Sequence, residues 1–482
     1  MLGTEVAIQT LCERLNWPVR FARWQSARQI AALFSSSQRK QVEEIWLNWL
    51  GARKFESEVV AGLSVLFAIE PDSLPPADAV LNSILKPSIL ADHIVHFLYE
   101  RSLENWHDAH SGSAPFGYIP DDYFESHKTQ VVPPILGNEL ERLQRETGLP
   151  FSEQWAFEWQ SLMNQTSSIY SSFPYYFVDS AHNRQGIACQ VSQSQCNVFR
   201  SAFLRTLAHA TSEWGMPKEN AKVLASFCLP ISKDLISLTP VIRPQWLGDL
   251  PERCSEPDAP IESLVRELIK PNAGTNGMRA VSLRIPLRKD VAEYGELVVE
   301  SFFASDDFVP NTKFSNHRPL SLLRPKSDFS AVEGTLFVQE PEDIFIPGDR
   351  GSCISMCSDV WPQHLGFWQF DYGHLGFSFP TAFVCGKPIE SKLVEDRIEF
   401  LSSEGTLGHW KTWNDDWTVA YPKGGRTRCG GLTELSNQVI EEASGRLGME
   451  LFWRVKLILW DKQSDYEPQT RTARSILFSE AP

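Results

Sequence analysis

The spacing of apolar residues changes once along the chain. Over the first ~110 residues they recur every three or four positions, as amphipathic helices require. Beyond about residue 275 they recur at every second position, as strands with one buried face require.

Five helices are expected in the first stretch. Ile8, Leu11, Cys12 and Leu15 share one face, and Pro18 stops that helix. Ala27, Ile30, Ala31 and Phe34 repeat the pattern. Val42, Ile45, Trp46, Trp49 and Leu50 give its clearest form, with Ser35 and Gln38 placed to cap the start and Gly51 just past the end. A fourth helix is expected over Glu56–Ile69, and a fifth from Ser88 with Leu90, Ile94, Phe97 and Leu98 turned inward. No fixed repeat is present, so residues 1–111 are expected to form an irregular helical array.

Residues 112–239 are expected to be mixed. A long Pro-, Gly- and Ser-rich surface connection runs from Gly112 to Gly137. Helices follow over Asn138–Gly148 and Ser152–Met163, then two strands between Pro174 and Gln190 around a turn at His182–Gly186. Helices resume over Asn197–Glu213 and Pro217–Cys228, with Pro217 suited to a first helical turn. The second of this pair offers only Lys218 and Lys222 as cations, and core packing explains it better than a DNA-reading motif does. The five prolines between Pro240 and Pro260 mark a boundary.

Residues 261–482 are expected to form a mostly antiparallel sheet with covering helices. Val281, Leu283, Ile285 and Leu287 alternate with polar residues or proline, and Leu297–Phe303 is a partner strand. After a Pro-rich loop over Asp306–Ser330, strands are expected near Thr335–Gln339, Phe367–Asp371 and Trp417–Tyr421. A helix over Leu432–Leu447 precedes the strongest strand signal. There Leu451, Trp453, Val455, Leu457 and Leu459 form one apolar face, and Thr472–Phe478 adds a last strand. The fold class is therefore α+β and multidomain.

Charge changes this picture little and chemistry only locally. The chain has 482 residues and a net charge of -15, which opposes general binding of polyanions. Sixteen Trp and 29 Phe supply material for large cores. The start, MLGTEVAIQT, has neither a basic nor an apolar region, so no secretory signal is expected. The longest apolar stretch, Leu63–Ile69, is far short of the ~20 residues of a membrane span. Nine scattered cysteines fit a reducing, cytoplasmic setting better than a disulfide framework.

No P-loop, Rossmann glycine motif, nucleophile elbow, HExxH or deaminase signature is present. Four polar groups remain. His93, His96 and Glu100 fall within ~60° on one helix face, a spacing that suits a cation, whereas His107 lies too far along that helix to join them. Cys353 and Cys357, followed by His364 and His374, have zinc-binding residue types in a loose spacing. Asp371, Glu390 and Lys392 resemble the carboxylates and lysine of a metal-dependent nuclease, although Gly386, Lys387 and Pro388 point to a turn there. Lys423, Arg426 and Arg428 form a basic loop after Trp410, Trp413 and Trp417, suited to a phosphate or to stacked bases. Each group also has a plain reading as a solvated face, a buried thiol or a charged turn.

The expected function is a non-enzymatic scaffold or adaptor subunit of a multi-protein assembly, with other protein subunits as partners, no resident cofactor and no membrane contact. Nucleic acid is a further partner through Lys423, Arg426 and Arg428. Base rates, not residues, place that assembly in bacteria and in antiviral defence. The alternative is a metal-dependent hydrolase or nuclease using zinc or magnesium.

Overall fold

The computed structural model describes residues 3–16, 20–120, 134–166, 193–230, 236, 238–239, 241–243, 245, 277–288, 293–305, 320–321, 335–339, 344–345, 353–359, 378–414, 429–462 and 468–479. The chain forms two compact units, Met1–Ser237 with His364–Asp371, and Leu238–Gln363 with Tyr372–Pro482. Helices fill the N-terminal part and an antiparallel sheet the C-terminal part, which is the α+β class that the two periods predict.

The first unit contains α1 (Thr4–Arg14), α2 (Arg20–Phe34), α3 (Arg39–Gly51), α4 (Glu56–Leu63), α5 (Ala77–Ser83), α6 (Ile89–Tyr99), α7 (Pro134–Thr147), α8 (Phe151–Thr166), α9 (Gln193–Ser212) and α10 (Lys218–Ala225). The periodic residues Ile8, Cys12, Ile30, Phe34, Val42, Trp46 and Leu50 are all buried. Each such side chain contributes roughly 1.5–3 kcal/mol through loss of apolar surface to water. The short helix α4 is buried almost all round. Glu58 reaches back to its start and accepts the N–H groups of Lys54 at 3.0 Å and Phe55 at 3.2 Å. At Gly62 a Cβ would lie 2.8 Å from Leu50 and 2.9 Å from Trp49, so glycine lets α3 and α4 approach closely.

Several boundaries differ from the sequence reading. Helix α3 is preceded by Gln38, whose side chain makes no capping bond, and Gly51 is its last residue rather than the one beyond it. The fourth helix ends at Leu63 and tightens into a 3-10 turn, Ser64–Ala68. Pro217 lies just outside α10 with extended backbone. Phe97 is 43% exposed although it was expected inside, because Val95 takes the buried position next to Ile94.

The second unit contains β1 (Met278–Arg288), β2 (Glu293–Ala304), β3 (Leu320–Ser321), β4 (Thr335–Gln339), β5 (Ile344–Phe345), β6 (Cys353–Ser355), β7 (Cys357–Asp359), β8 (Ser378–Pro380), α11 (Ala382–Cys385), β9 (Ile389–Val394), β10 (Arg397–Ser402), β11 (Gly405–Asn414), β12 (Cys429–Ser436), α12 (Asn437–Leu447), β13 (Glu450–Lys462) and β14 (Pro468–Ser479). Among the described residues ten strands form one sheet in the order β14-β13-β2-β1-β12-β11-β10-β9-β4, with β6 also on β2. All of these pairings are antiparallel. Leu283 pairs with Val299, and Val299 with Val455, so the alternating residues of three strands meet on one apolar face. On the other face Glu300 accepts from Arg454 at 3.0 Å and lies 3.3 Å from Lys456.

Two expectations in this unit are corrected. The helix expected from Leu432 begins at Asn437, because Cys429–Ser436 pairs with β1 and β11 as an inner strand. Ser436 ends that strand and caps the helix, its hydroxyl accepting the Val439 N–H at 3.3 Å. The turn expected at Gly386–Pro388 is present, with Gly386 at φ 69° capping α11, but it ends there: Ile389–Val394 is strand β9, so Glu390 and Lys392 stand on a strand and not in the turn. The expected strands near 174–190, 367–371 and 417–421 lie outside the described residues.

Candidate interaction site

The sequence-derived residues fall in different places. His93 and His96 lie on α6, but the helix ends at Tyr99 and Glu100 turns out of it with φ 55°, its N–H on the His96 carbonyl at 2.9 Å. His107 sits on a separate 3-10 turn, Glu104–Asp108, with its ring 3.7 Å from that of Trp106. The expected helix face therefore does not assemble with Glu100. The polar residue that organises this region is Asp92. It is 1% exposed, accepts the Leu103 N–H at 2.8 Å and pairs with Lys218 at 2.8 Å. Among the described residues no group of three or more His, Cys, Asp or Glu is arranged to hold a metal ion.

Cys357 is buried on β7, and Cys353 lies on the short strand β6; His364 and His374 lie outside the described residues. So do Asp371, Trp417 and the basic residues Lys423, Arg426 and Arg428. Trp410 and Trp413 are 0% and 1% exposed, which corrects the expectation that they offer rings for stacking. Trp410 packs instead near Phe379, ring centres 6.4 Å apart, and a Cβ at Gly430 would meet Trp413 at 2.3 Å.

Glu390 and Lys392 point to the same face of β9, 3.7 Å apart. Cross-strand pairing extends their row. Lys392 lies opposite Glu399, Glu399 opposite His409, and His409 opposite Glu434. The innermost carboxylate, Glu434, is 1% exposed and one oxygen takes both His409 Nε2 at 3.0 Å and Lys411 Nζ at 2.6 Å. Burial pushes its carboxyl up, and the bonds from His409 and Lys411 outweigh that and hold it below the usual value. Within this row each carboxylate already has a side-chain partner: Lys392 for Glu390, Arg397 for Glu399, and His409 and Lys411 for Glu434.

A different arrangement occurs in the first unit. Helix α8 buries Gln154 and Glu158, each 0% exposed, one turn apart. Both aim at the chain that follows the 3-10 turn. Glu158 accepts the Ser111 N–H with its two oxygens at 2.9 and 3.1 Å. The Gln154 amide binds the Gly112 carbonyl at 2.8 Å and accepts the Ala114 N–H at 2.8 Å, as a neighbouring strand would. Burial raises the Glu158 carboxyl above its ordinary value, against the bonds from Ser111 and the charge of Arg205. His110 adds a third hold, its Nδ1 accepting the Gly112 N–H at 3.0 Å.

The next four residues form a tight turn. The Tyr118 N–H reaches the Pro115 carbonyl at 3.0 Å, and Gly117 has φ 66°, the sign that the third position of a type II turn requires. The Tyr118 ring docks edge-on against Phe157 of α8, centres 5.3 Å apart. Phe116, at the corner, is 108% exposed and Ile119 is 64% exposed. A backbone fixed on both sides thus presents two large apolar side chains on a stretch, 111–119, with no charged residue. The sequence marks this segment only as Pro- and Gly-rich, and the residues that pin it are distant helix positions. Its one legible signal is Phe116 and Ile119 themselves, apolar residues in a segment with neither a helical nor a strand period.

Comparison with protein-family models gives no match to this chain, and comparison with characterised proteins gives none. Among the described residues no helix is long and apolar enough to cross a membrane.

Proposed function

We propose that the chain is a non-enzymatic scaffold or adaptor subunit that engages another protein through residues 115–119. The observation that carries this reading is the pairing of Phe116 and Ile119, both outward, on a backbone already ordered by Gln154, Glu158 and Tyr118. Exposed single apolar residues are ordinary, but two within four positions on an ordered backbone lower the entropy cost of docking into an apolar pocket. An aromatic anchor seated in such a pocket is worth about 2 kcal/mol or more. A cytoplasmic setting draws support from Cys12, Cys228 and Cys385, buried thiols that loss of hydration pushes up to about 12.

The test is size-exclusion chromatography with light scattering on tagged protein from its native host, wild type beside Phe116→Ser/Ile119→Ser. Wild type is expected to elute in a complex of fixed stoichiometry, with crosslinks from 109–119 to one partner, and the double variant as a folded protein without it. A wild-type monomer with no co-purifying protein, or a variant that keeps the complex, overturns the reading.

A second reading, metal-dependent phosphodiester hydrolysis, draws support from Glu390 and Lys392 on one face of a true strand. Under it, the protein cleaves DNA or RNA with Mg²⁺ or Mn²⁺ and Glu390→Gln abolishes cleavage. Equal rates in variant and wild type remove this reading.

A further inference from the structure

His209 lies in the last turns of α9 and is 0% exposed, yet among the described residues neither ring nitrogen has a hydrogen-bond partner. Its neighbours are rings. His110 lies edge-on at 5.0 Å between centres and Trp214 at 4.9 Å, and Trp214 in turn meets Phe151 at 4.8 Å. A neutral imidazole is tolerated in such a box, where a buried imidazolium finds no acceptor.

The second histidine ties this ring to the 109–114 segment. Because His110 Nδ1 accepts the Gly112 N–H, its proton resides on Nε2, which faces Ser212 Oγ at 3.3 Å. The Ser212 hydroxyl donates in turn to the His209 carbonyl at 3.3 Å, so the chain of donors is consistent throughout. A proton added at His110 Nδ1 would oppose the Gly112 N–H and end that bond. Two imidazolium rings 5.0 Å apart would also repel.

We propose that His209, with the His110 ring edge-on against it, is a proton-operated latch on the 109–114 segment, closed while its ring is neutral and opened by mild acid. The proposal builds on the partner site of the preceding section, since opening frees the backbone that presents Phe116 and Ile119. The charges around the latch agree in sign. Burial, and next the neighbouring His110, hold the His209 imidazole below its ordinary 6.5, and Glu213 opposes them only in part. Other ionisable groups on the elements packed against α9 are Glu153 and Glu158 on α8, Glu56 and Glu58 on α4, Asp92, His93 and His96 on α6, Lys218, Glu219 and Lys222 on α10, and Glu104, His107 and Asp108 on the 3-10 turn, with Arg200 and Arg205 on α9 itself. None of them bonds the His209 ring.

The linkage runs one way for each group. A depressed imidazole value contributes stability that is present above about 6.5 and lost as pH falls through the folded value. Glu158, raised above its ordinary 4.5, has the opposite sign: its contribution is present below 4.5 and lost as pH rises through the folded value. Opening in mild acid is therefore driven by His209.

Hydrogen exchange on the full chain without any partner tests the latch. Between about pH 7.5 and pH 5.5, exchange over 109–119, corrected for intrinsic rates, is expected to rise several-fold, with α3 unchanged. In His209→Phe, which keeps the ring packing without a titrating group, that rise disappears. His110→Asn, whose side-chain oxygen still accepts the Gly112 N–H, is expected to lose most of it and decides the matter if the Phe variant does not fold. Equal wild-type protection at both pH values, or the same rise in His110→Asn, overturns the latch. Because no partner is present, these outcomes are independent of the Phe116→Ser/Ile119→Ser test, which is run where the latch is closed.

Discussion

A carboxylate taken out of water holds its proton more tightly, and Glu434 does the reverse because the side chains of His409 and Lys411 converge on one of its oxygens. Its partners keep some contact with solvent, His409 at 15% and Lys411 at 17% exposure, so loss of the carboxylate leaves them partly hydrated. Glu434→Gln is expected to cost about 1–3 kcal/mol at neutral pH, read from the urea midpoint. The pH dependence has a definite sign. A folded value held below the ordinary 4.5 gives stability that is present above 4.5 and lost as pH falls through the folded value. The gap in midpoint between wild type and Glu434→Gln should therefore be level from neutrality to about 4.5 and close below it. A gap that widens in acid would show that the carboxylate is not held by its neighbours. None of this was legible in the sequence, where His409, Lys411 and Glu434 are ordinary polar positions and only strand register brings them together.

Among the described residues, the turn between β9 and β10 holds one of two non-glycine residues with positive φ. Val394 pairs with Arg397, which leaves Glu395 and Asp396 to reverse the chain, and Glu395 adopts φ 35°. Two-residue hairpin turns favour Asn, Asp or Gly at positions of positive φ. Glu395→Asn is expected to stabilise the second unit by roughly 0.5 kcal/mol, because a side chain at home in that conformation replaces one that is not. The Glu395 carbonyl, which accepts the Thr239 N–H at 2.9 Å, is retained. A lower urea midpoint in the variant would show that the turn is not strained. The absence of a glycine or asparagine here also explains why the β9–β10 hairpin was missed in the sequence. The start of α12 was misplaced for a related reason. Leu432 and Leu435 fit a helical spacing with Val439, but Leu435 pairs across the sheet with Arg279 and Gly408. Long elements with strong alternation, such as Leu451–Leu459, read correctly because one buried face repeats often enough to exclude the other period.

Across the whole molecule, the two periods of the sequence correspond to the two compact units: helices that bury Trp46, Trp106 and Trp155, and a sheet that buries Trp410, Trp413 and Trp453. What the sequence determined by itself was local. Periodicity fixes which face of an element is apolar, and a face repeated over several turns or several pleats leaves one choice of secondary structure. It therefore specified the α+β class, most of the helices, the strands β1, β2 and β13, and the apolar residues that fill each core. The candidate sites depended on groups far apart in the chain. Gln154 and Glu158 hold residues 111–114 across 40 to 47 positions, and His209 meets His110 across about a hundred. Burial removes competing water from such groups, so their hydrogen bonds and protonation states are set by whatever the fold places beside them. Only the tertiary structure decided that Glu100 leaves its helix, that Trp410 and Trp413 belong to a core, and that the segment bearing Phe116 and Ile119 is hydrogen-bonded and packed against α8. Sequence spacing encodes the direction in which a side chain points, and packing supplies the partner that it meets there.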